Sequence, residues 1–310
     1  MVFEQISEMY EKRRSAAEIE TLITERVASM EESKQEELPE YAALLNELAT
    51  LYRNSARLKE ADGVYAKALD TLRELRREDT ADYTDLLINR AGLLRIMDSY
   101  PESAALFRDA VKLLGARQPG DDETLARACG GASLSYLSAG DLKNAYKYAL
   151  RAYELVSAGA SGIHTLAESL NSLALIKYRM KDYDAAEKYA EEAVEIFDKL
   201  KLQSAQHSSA YATLASIKYE KLNFKDSRAA FEKAAELAEK YFGKNAEYVS
   251  IVSNLSTVCE ILRDFKAALN AAVKAHKALR GLPENGGELK EQYRDRITRL
   301  KSLMRERAKR

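Results

Sequence analysis

Two cysteines among 310 residues leave no room for a disulfide framework. Cys129 and Cys259 fall three repeats apart in the pattern described below, far beyond the ~7 Å a disulfide can span, so they read as thiols of a reducing compartment. Histidine is as scarce: His164, His207 and His276 are the three, expected at the surface, and no His/Cys cluster supplies metal-ligand spacing. Tryptophan is absent and proline is down to four residues. No run of about 18 apolar residues occurs, which excludes a membrane-spanning helix. The first residues, Met1 to Glu8, lack a basic stretch followed by an apolar one, so no secretory signal is expected and a cytoplasmic location is. Net charge is nearly nil, with 48 basic and 49 acidic side chains, and nucleic-acid binding is therefore not expected. Gly130-Gly131 matches no phosphate-binding motif. The carboxylates alternate with lysines as on solvated helix faces. No catalytic set, metal site or cofactor motif emerges, and the chain is not expected to be an enzyme.

What is present is a ruler. Ala68, Ala110, Ala152, Ala193, Ala234 and Ala275 stand 42, 42, 41, 41 and 41 residues apart. A second small column reads Ala49, Ala91, Ala132, Ala174, Ala215 and Ser256; a third reads Ala61, Ser103, Ala145, Ala186, Ser227 and Ala268. Between them sits a larger group: Leu58, Tyr100, Leu142, Tyr183, Phe224 and Phe265. Apolar residues such as Leu45, Leu48 and Leu51 recur at the spacing of a buried helix stripe. Short breaks at 54–57, 179–182 and 221–223 separate runs of helix formers. Each period is thus a helical hairpin, its first helix about 15 residues and its second about 20, with small residues at the crossings.

The run Leu48-Ala49-x2-Tyr52, then Ala61-x3-Tyr65-x2-Ala68, resembles the tetratricopeptide repeat, with Ala where that family often has Gly; Leu173, Ala174, Tyr183, Ala186 and Ala193 follow the same order. The resemblance covers 41–285. The family's repeat is about 34 residues and closes on a proline that is missing here, so the longer form looks like the repeats of kinesin light chains and bacterial peptide-sensing regulators. It implies an all-α fold: a right-handed α-solenoid superhelix of stacked antiparallel helix pairs. The expected organisation is a degenerate N-terminal capping repeat at 1–40, six repeats at 41–82, 83–123, 124–163, 164–203, 204–245 and 246–287, and a C-terminal capping helix at 288–310.

The ends and the middle are irregular. Phe3, Ile6 and Tyr10 form one N-terminal stripe, and Ile19, Leu22, Ile23 and Val27 the next; Leu289, Tyr293, Ile297, Leu300 and Met304 form the C-terminal one. Residues 1–40 hold five basic and eleven acidic side chains, and 288–310 hold nine basic and four acidic, which admits weak self-association through the charged ends. Seven of the thirteen glycines fall between Gly115 and Gly162. Gly131 takes the place of a leucine, and one extra residue precedes Leu142. These features fit a hinge about the third repeat or a tolerated weak repeat.

In tetratricopeptide arrays the first helix of each pair lines the concave groove; that is what the resemblance implies. Taken three before, one after and four after the second small column, its residues read Asn46-Thr50-Arg53, Ile88-Gly92-Arg95, Cys129-Ser133-Tyr136, Asn171-Leu175-Tyr178, Ala212-Ser216-Tyr219 and Ser253-Thr257-Glu260. Asn89, Arg179 and Asn254 flank this face. Asparagine can hold a peptide backbone by donor and acceptor, arginine grips carboxylates and tyrosine offers rigid amphipathic area. The candidate partner-binding residues are therefore Asn46, Arg53, Asn89, Arg95, Tyr136, Asn171, Tyr178, Arg179, Tyr219 and Asn254. Their expected partner is a protein segment or peptide, with an acidic or carboxylate-bearing portion near Arg53 and Arg95. A ligand-responsive signalling sensor and a self-assembling structural protein are the alternatives.

Overall fold

The computed structural model describes residues 2–35, 38–117, 121–157, 162–201, 204–281 and 287–308, and among these residues it is all helix with no strand. The helices are Val2–Glu11 (α1), Ala16–Glu32 (α2), Pro39–Asn54 (α3), Leu58–Glu74 (α4), Ala81–Ile96 (α5), Tyr100–Ala116 (α6), Asp122–Ser138 (α7), Leu142–Ser157 (α8), Ile163–Arg179 (α9), Tyr183–Leu200 (α10), Ala205–Glu220 (α11), Phe224–Phe242 (α12), Ala246–Ile261 (α13), Phe265–Leu279 (α14) and Gly287–Ala308 (α15). They form two compact units, 1–155 and 156–310. In the first unit α3 packs on α4, α4 on α5, α5 on α6 and α6 on α7, and the first helices α3, α5 and α7 also touch in series. In the second, each helix from α9 to α15 packs on the next, and α9 also touches α11. This is the stacking of a tetratricopeptide-like α-solenoid. First helices run 16 or 17 residues and second helices 15 to 19, so the second helix takes less of the extra length than the sequence reading assigns it.

The six alanines of the ruler lie on second helices and are fully buried. So are the other two small columns, and hydrogen bonds show why they are small. Ser103 Oγ donates to the carbonyl of Ala91 at 2.7 Å and Ser227 Oγ to that of Ala215 at 2.8 Å. In the opposite direction, Ser256 Oγ donates to Ala268 O and Ser133 Oγ to Ala145 O, both at 2.9 Å. A hydroxyl reaches the facing backbone only where the helix axes come close, and a larger residue would push them apart.

These bonds correct the alignment of the third repeat. Each joins residues twelve apart, so Ser133, and not Ala132, is the member of the second column. The column then runs Ala49, Ala91, Ser133, Ala174, Ala215, Ser256, with the ruler's own spacing. No residue is inserted before Leu142, and Ala132 replaces the leucine of repeats one, four, five and six, where the sequence reading puts Gly131. Gly131 instead makes room for a neighbour, since a Cβ there would stand closer than 3.0 Å to the ring of Phe107. The segments 118–120 and 158–161, which carry part of the proposed hinge, lie outside the described residues.

The turn within each pair repeats as faithfully as the alanines. Ala56, Asp98, Gly140, Lys181, Leu222 and Arg263 all take left-handed backbone, with φ from 56° to 83°. In each turn this residue's N–H donates to the carbonyl three back and the next N–H to the carbonyl five back, as in Leu222 to Tyr219 and Asn223 to Lys218. That pair of bonds closes the orphan carbonyls of the first helix in a Schellman motif. Glycine suits the position, yet only the third repeat has it. The large column follows at once: Leu58, Tyr100, Leu142, Tyr183, Phe224 and Phe265 are each the first residue of a second helix.

Two further readings change. In α1 the buried residues are Val2 and Ile6, while Phe3 and Tyr10 are exposed, because α2 meets the face one residue round from that stripe. His207 is not at the surface: it is 3% exposed, stacks on Phe197 at 5.5 Å and shares a 2.9 Å hydrogen bond with Asp198. In α15, Tyr293 and Leu300 are buried.

Candidate functional site

In the first unit the face of α3 and α5 carries four of the candidate residues. Asn89 Nδ2 donates to Asn46 Oδ1 at 3.0 Å, so these two amides bind each other across successive repeats. Arg53 is half-buried and Arg95 exposed. Neither meets a carboxylate at salt-bridge distance among the described residues, whereas Arg57 is held by Glu20 and Glu60 and Arg90 by Asp62. The two free guanidiniums mark one end of this face as cationic. Its other end is acidic: Asn46 shares a small recess with Asp82 and Asp85. Burial, with Asp82 beside it, pushes the Asp85 carboxyl up, and burial does the same to Glu47.

Tyr136 does not stand in the column assigned to it. With Ser133 in register, Leu137 is the counterpart of Arg53, Arg95, Tyr178 and Tyr219, and its N–H-capped turn confirms the offset: Gly140 donates to Leu137 O just as Leu222 does to Tyr219 O. Tyr136 is one residue round the helix, stacked on Tyr148 with ring centroids 5.5 Å apart and planes at 12°. Cys129 likewise belongs to the buried stripe of Leu45, Leu87, Leu170 and Val252 and is fully buried. Burial pushes its thiol up to about 11, which keeps it protonated and unreactive at neutral pH.

In the second unit the candidates converge. Tyr178, Tyr219 and Asn254 line one recess of about 230 Å³ together with Ser216, Glu220, Phe231 and Thr257. Three first helices contribute: α9 supplies Tyr178, α11 supplies Ser216, Tyr219 and Glu220, and α13 supplies Asn254 and Thr257, while buried Phe231 of α12 forms the floor. The tyrosines are braced by the first residue of the following helix. Tyr178 meets Tyr183 at 5.9 Å and Tyr219 meets Phe224 edge-on at 5.6 Å. Burial, with Glu220 nearby, pushes the Tyr178 phenol up, so it stays a neutral donor. About two helical turns before Tyr178, Asn171 buries its Oδ1 with no hydrogen-bond donor in reach. Arg179 is exposed beside the recess.

The face ends at Glu260, the last member of the column. Arg296 of α15 donates to Glu260 Oε1 at 2.7 Å and to Thr257 Oγ1 at 2.9 Å, and Arg299 binds the other carboxylate oxygen. Helix α15 thus occupies both carboxylate oxygens of Glu260. Sequence reasoning missed Glu220, although it occupies the same register as Arg179, one repeat on. It also missed Phe231, which reaches the recess from a second helix.

Residues 126–199 match the family model described as tetratricopeptide repeat. That segment is a tetratricopeptide-repeat segment. Several solved structures share the chain's fold at low identity. It is similar to BtubC (BKLC) from P. vanneervenii, 20% identical, over 74% of this chain and 94% of that one, with a TM-score of 0.61. It is also similar to a tetratricopeptide repeat protein from Parabacteroides merdae, 16% identical, over 98% and 97% of the two chains, with a TM-score of 0.62. The apo form of RapI is 15% identical over 86% and 99%, with a TM-score of 0.59. No curated protein sequence matches the chain significantly. Among its described residues the chain has no group of three or more His, Cys, Asp or Glu arranged to hold a metal. None of its described helices is long and apolar enough to cross a membrane.

Proposed function

We propose that this protein is a non-enzymatic scaffold that binds an extended protein segment on the faces of its first helices. The recess of the second unit carries the reading: it gathers Tyr178, Tyr219 and Asn254 from three successive repeats around one space. Braced tyrosines present broad area at small entropic cost, as binding anchors do. In the first unit, Arg53 and Arg95 suit a carboxylate-bearing stretch, since among the described residues neither meets a carboxylate at salt-bridge distance.

The test is a peptide array probed with the parent and with Arg95→Ala and Tyr178→Ala. Arg95→Ala is expected to lose acidic peptides selectively and Tyr178→Ala to weaken peptides with apolar or aromatic residues. If both variants bind every hit as the parent does, the first-helix faces are not the binding surface.

A further inference from the structure

We infer that the recess of the second unit takes a cationic side chain, arginine or lysine, from the bound segment; the inference rests on the reading of the first-helix face given above. Its size is the first reason. At about 230 Å³ it falls below the roughly 300–1,000 Å³ of small-molecule sites, and suits one long side chain. Its walls are the second. Tyr178 and Tyr219 line it with rings held by Tyr183 and Phe224, and aromatic rings attract cations.

The decisive feature is Glu220, the only formally charged group of the lining. Its carboxylate accepts from the Tyr183 hydroxyl at 3.5 Å. Among the described residues no lysine or arginine stands at salt-bridge distance from it, Arg179 included. Carboxylates around it do have such partners: Glu187 holds Lys218 and Lys221, and Glu260 holds Arg296 and Arg299. An exposed carboxylate without a cation, at the mouth of an aromatic recess, is complementary to a guanidinium or ammonium group. An acidic side chain would be repelled there, and an aliphatic one would leave Glu220 as it is.

The chain itself shows the chemistry at the next position along the same face. Arg296 reaches onto α13 and bonds Thr257, which also lines the recess, and Glu260 one turn beyond. A basic side chain on Glu220 would make the same kind of contact on the neighbouring first helix, with a partner's residue in place of that of α15. This polarity is opposite to that of the Arg53–Arg95 end of the first unit, so the two units select different residues.

The experiment uses protein labelled with ¹³C in its tyrosine rings. It is titrated with N-acetyl-arginine methylamide, the lysine equivalent, and the glutamate and leucine equivalents as controls. Tyr178→Phe and Tyr219→Phe assign the signals. The arginine and lysine probes are expected to shift both rings, the controls to shift neither, and Glu220→Gln to weaken the response about tenfold, as for a lost charge-assisted hydrogen bond. Equal shifts from leucine and arginine probes, or an unchanged Glu220→Gln response, would overturn the inference. The capped residues test the recess without an extended backbone. A cation-specific response with no hit on the peptide array therefore places the failure in the first-helix reading alone. Array hits with no basic preference, unmoved by Glu220→Gln, overturn the recess and leave that reading standing.

Discussion

The ring of Phe107 packs against the bare backbone of Gly131, closer than 3.0 Å to where a β-carbon would stand. Phe107 lies on the second helix of one pair and Gly131 on the first helix of the next, so the glycine makes room for a core side chain between neighbouring repeats. It need not loosen the helix to be useful.

Gly131→Ala is therefore expected to destabilise the protein by about 1–3 kcal/mol, the usual cost of overpacking. Its neighbour behaves oppositely. A Cβ at Gly130 meets nothing within 4 Å, so Gly130→Ala should stabilise the protein by up to about 1 kcal/mol through helix propensity. Urea midpoints of the two variants distinguish packing from looseness: a gain for both would mean that Phe107 does not need the gap.

The left-handed turns give a second pair. Leu222 has φ 59° and is 73% exposed, so it bears backbone strain and contributes little burial. Leu222→Gly is expected to raise stability by about 1 kcal/mol, and Gly140→Ala to lower it by a similar amount. Thermal unfolding of both variants checks this, and a loss of stability in Leu222→Gly would show that the side chain packs.

Asp264 caps α14. Its carboxylate accepts from the backbone N–H of Ala267 at 3.0 Å and from Arg228 at 2.9 Å. The Ala267 amide, with Arg228 beside it, holds the Asp264 carboxyl below the ordinary carboxylate range. A depressed folded-state value means that its stabilisation is complete above the unfolded value, about pH 4, and is lost as pH falls through the folded one. Asp264→Ala should thus cost about 1 kcal/mol at pH 7, with the gap to the parent closing as the pH drops below about 4. A gap independent of pH, measured by urea unfolding, would assign the loss to packing.

The recess explains why candidate residues of one type differ in value. Asn46 and Asn89 are spent on each other, while Asn171 keeps an unmet acceptor and Asn254 opens onto the recess. All four look alike in the sequence. The difference lies between residues some forty positions apart, where a side chain of the next repeat either reaches across or does not. Glu260 and Glu220 differ in the same way: α15 covers the first with Arg296, and among the described residues nothing basic covers the second.

Spacing along the chain is enough to specify the period, the helical hairpins and the buried alanines, because helix formation and core burial follow a local pattern that recurs in every repeat. It also places the large residues at the turns, since each must plug the same gap. Three things depended on how the helices meet in space. Ser133 rather than Ala132 joins the small column, a choice that size alone does not make and the hydroxyl bond to Ala145 does. Helix α1 buries Val2 rather than Phe3, because one short helix presents two apolar edges and only its neighbour selects between them. And Tyr178, Tyr219, Glu220 and Asn254 gather around one space, a grouping set by how three helices stack.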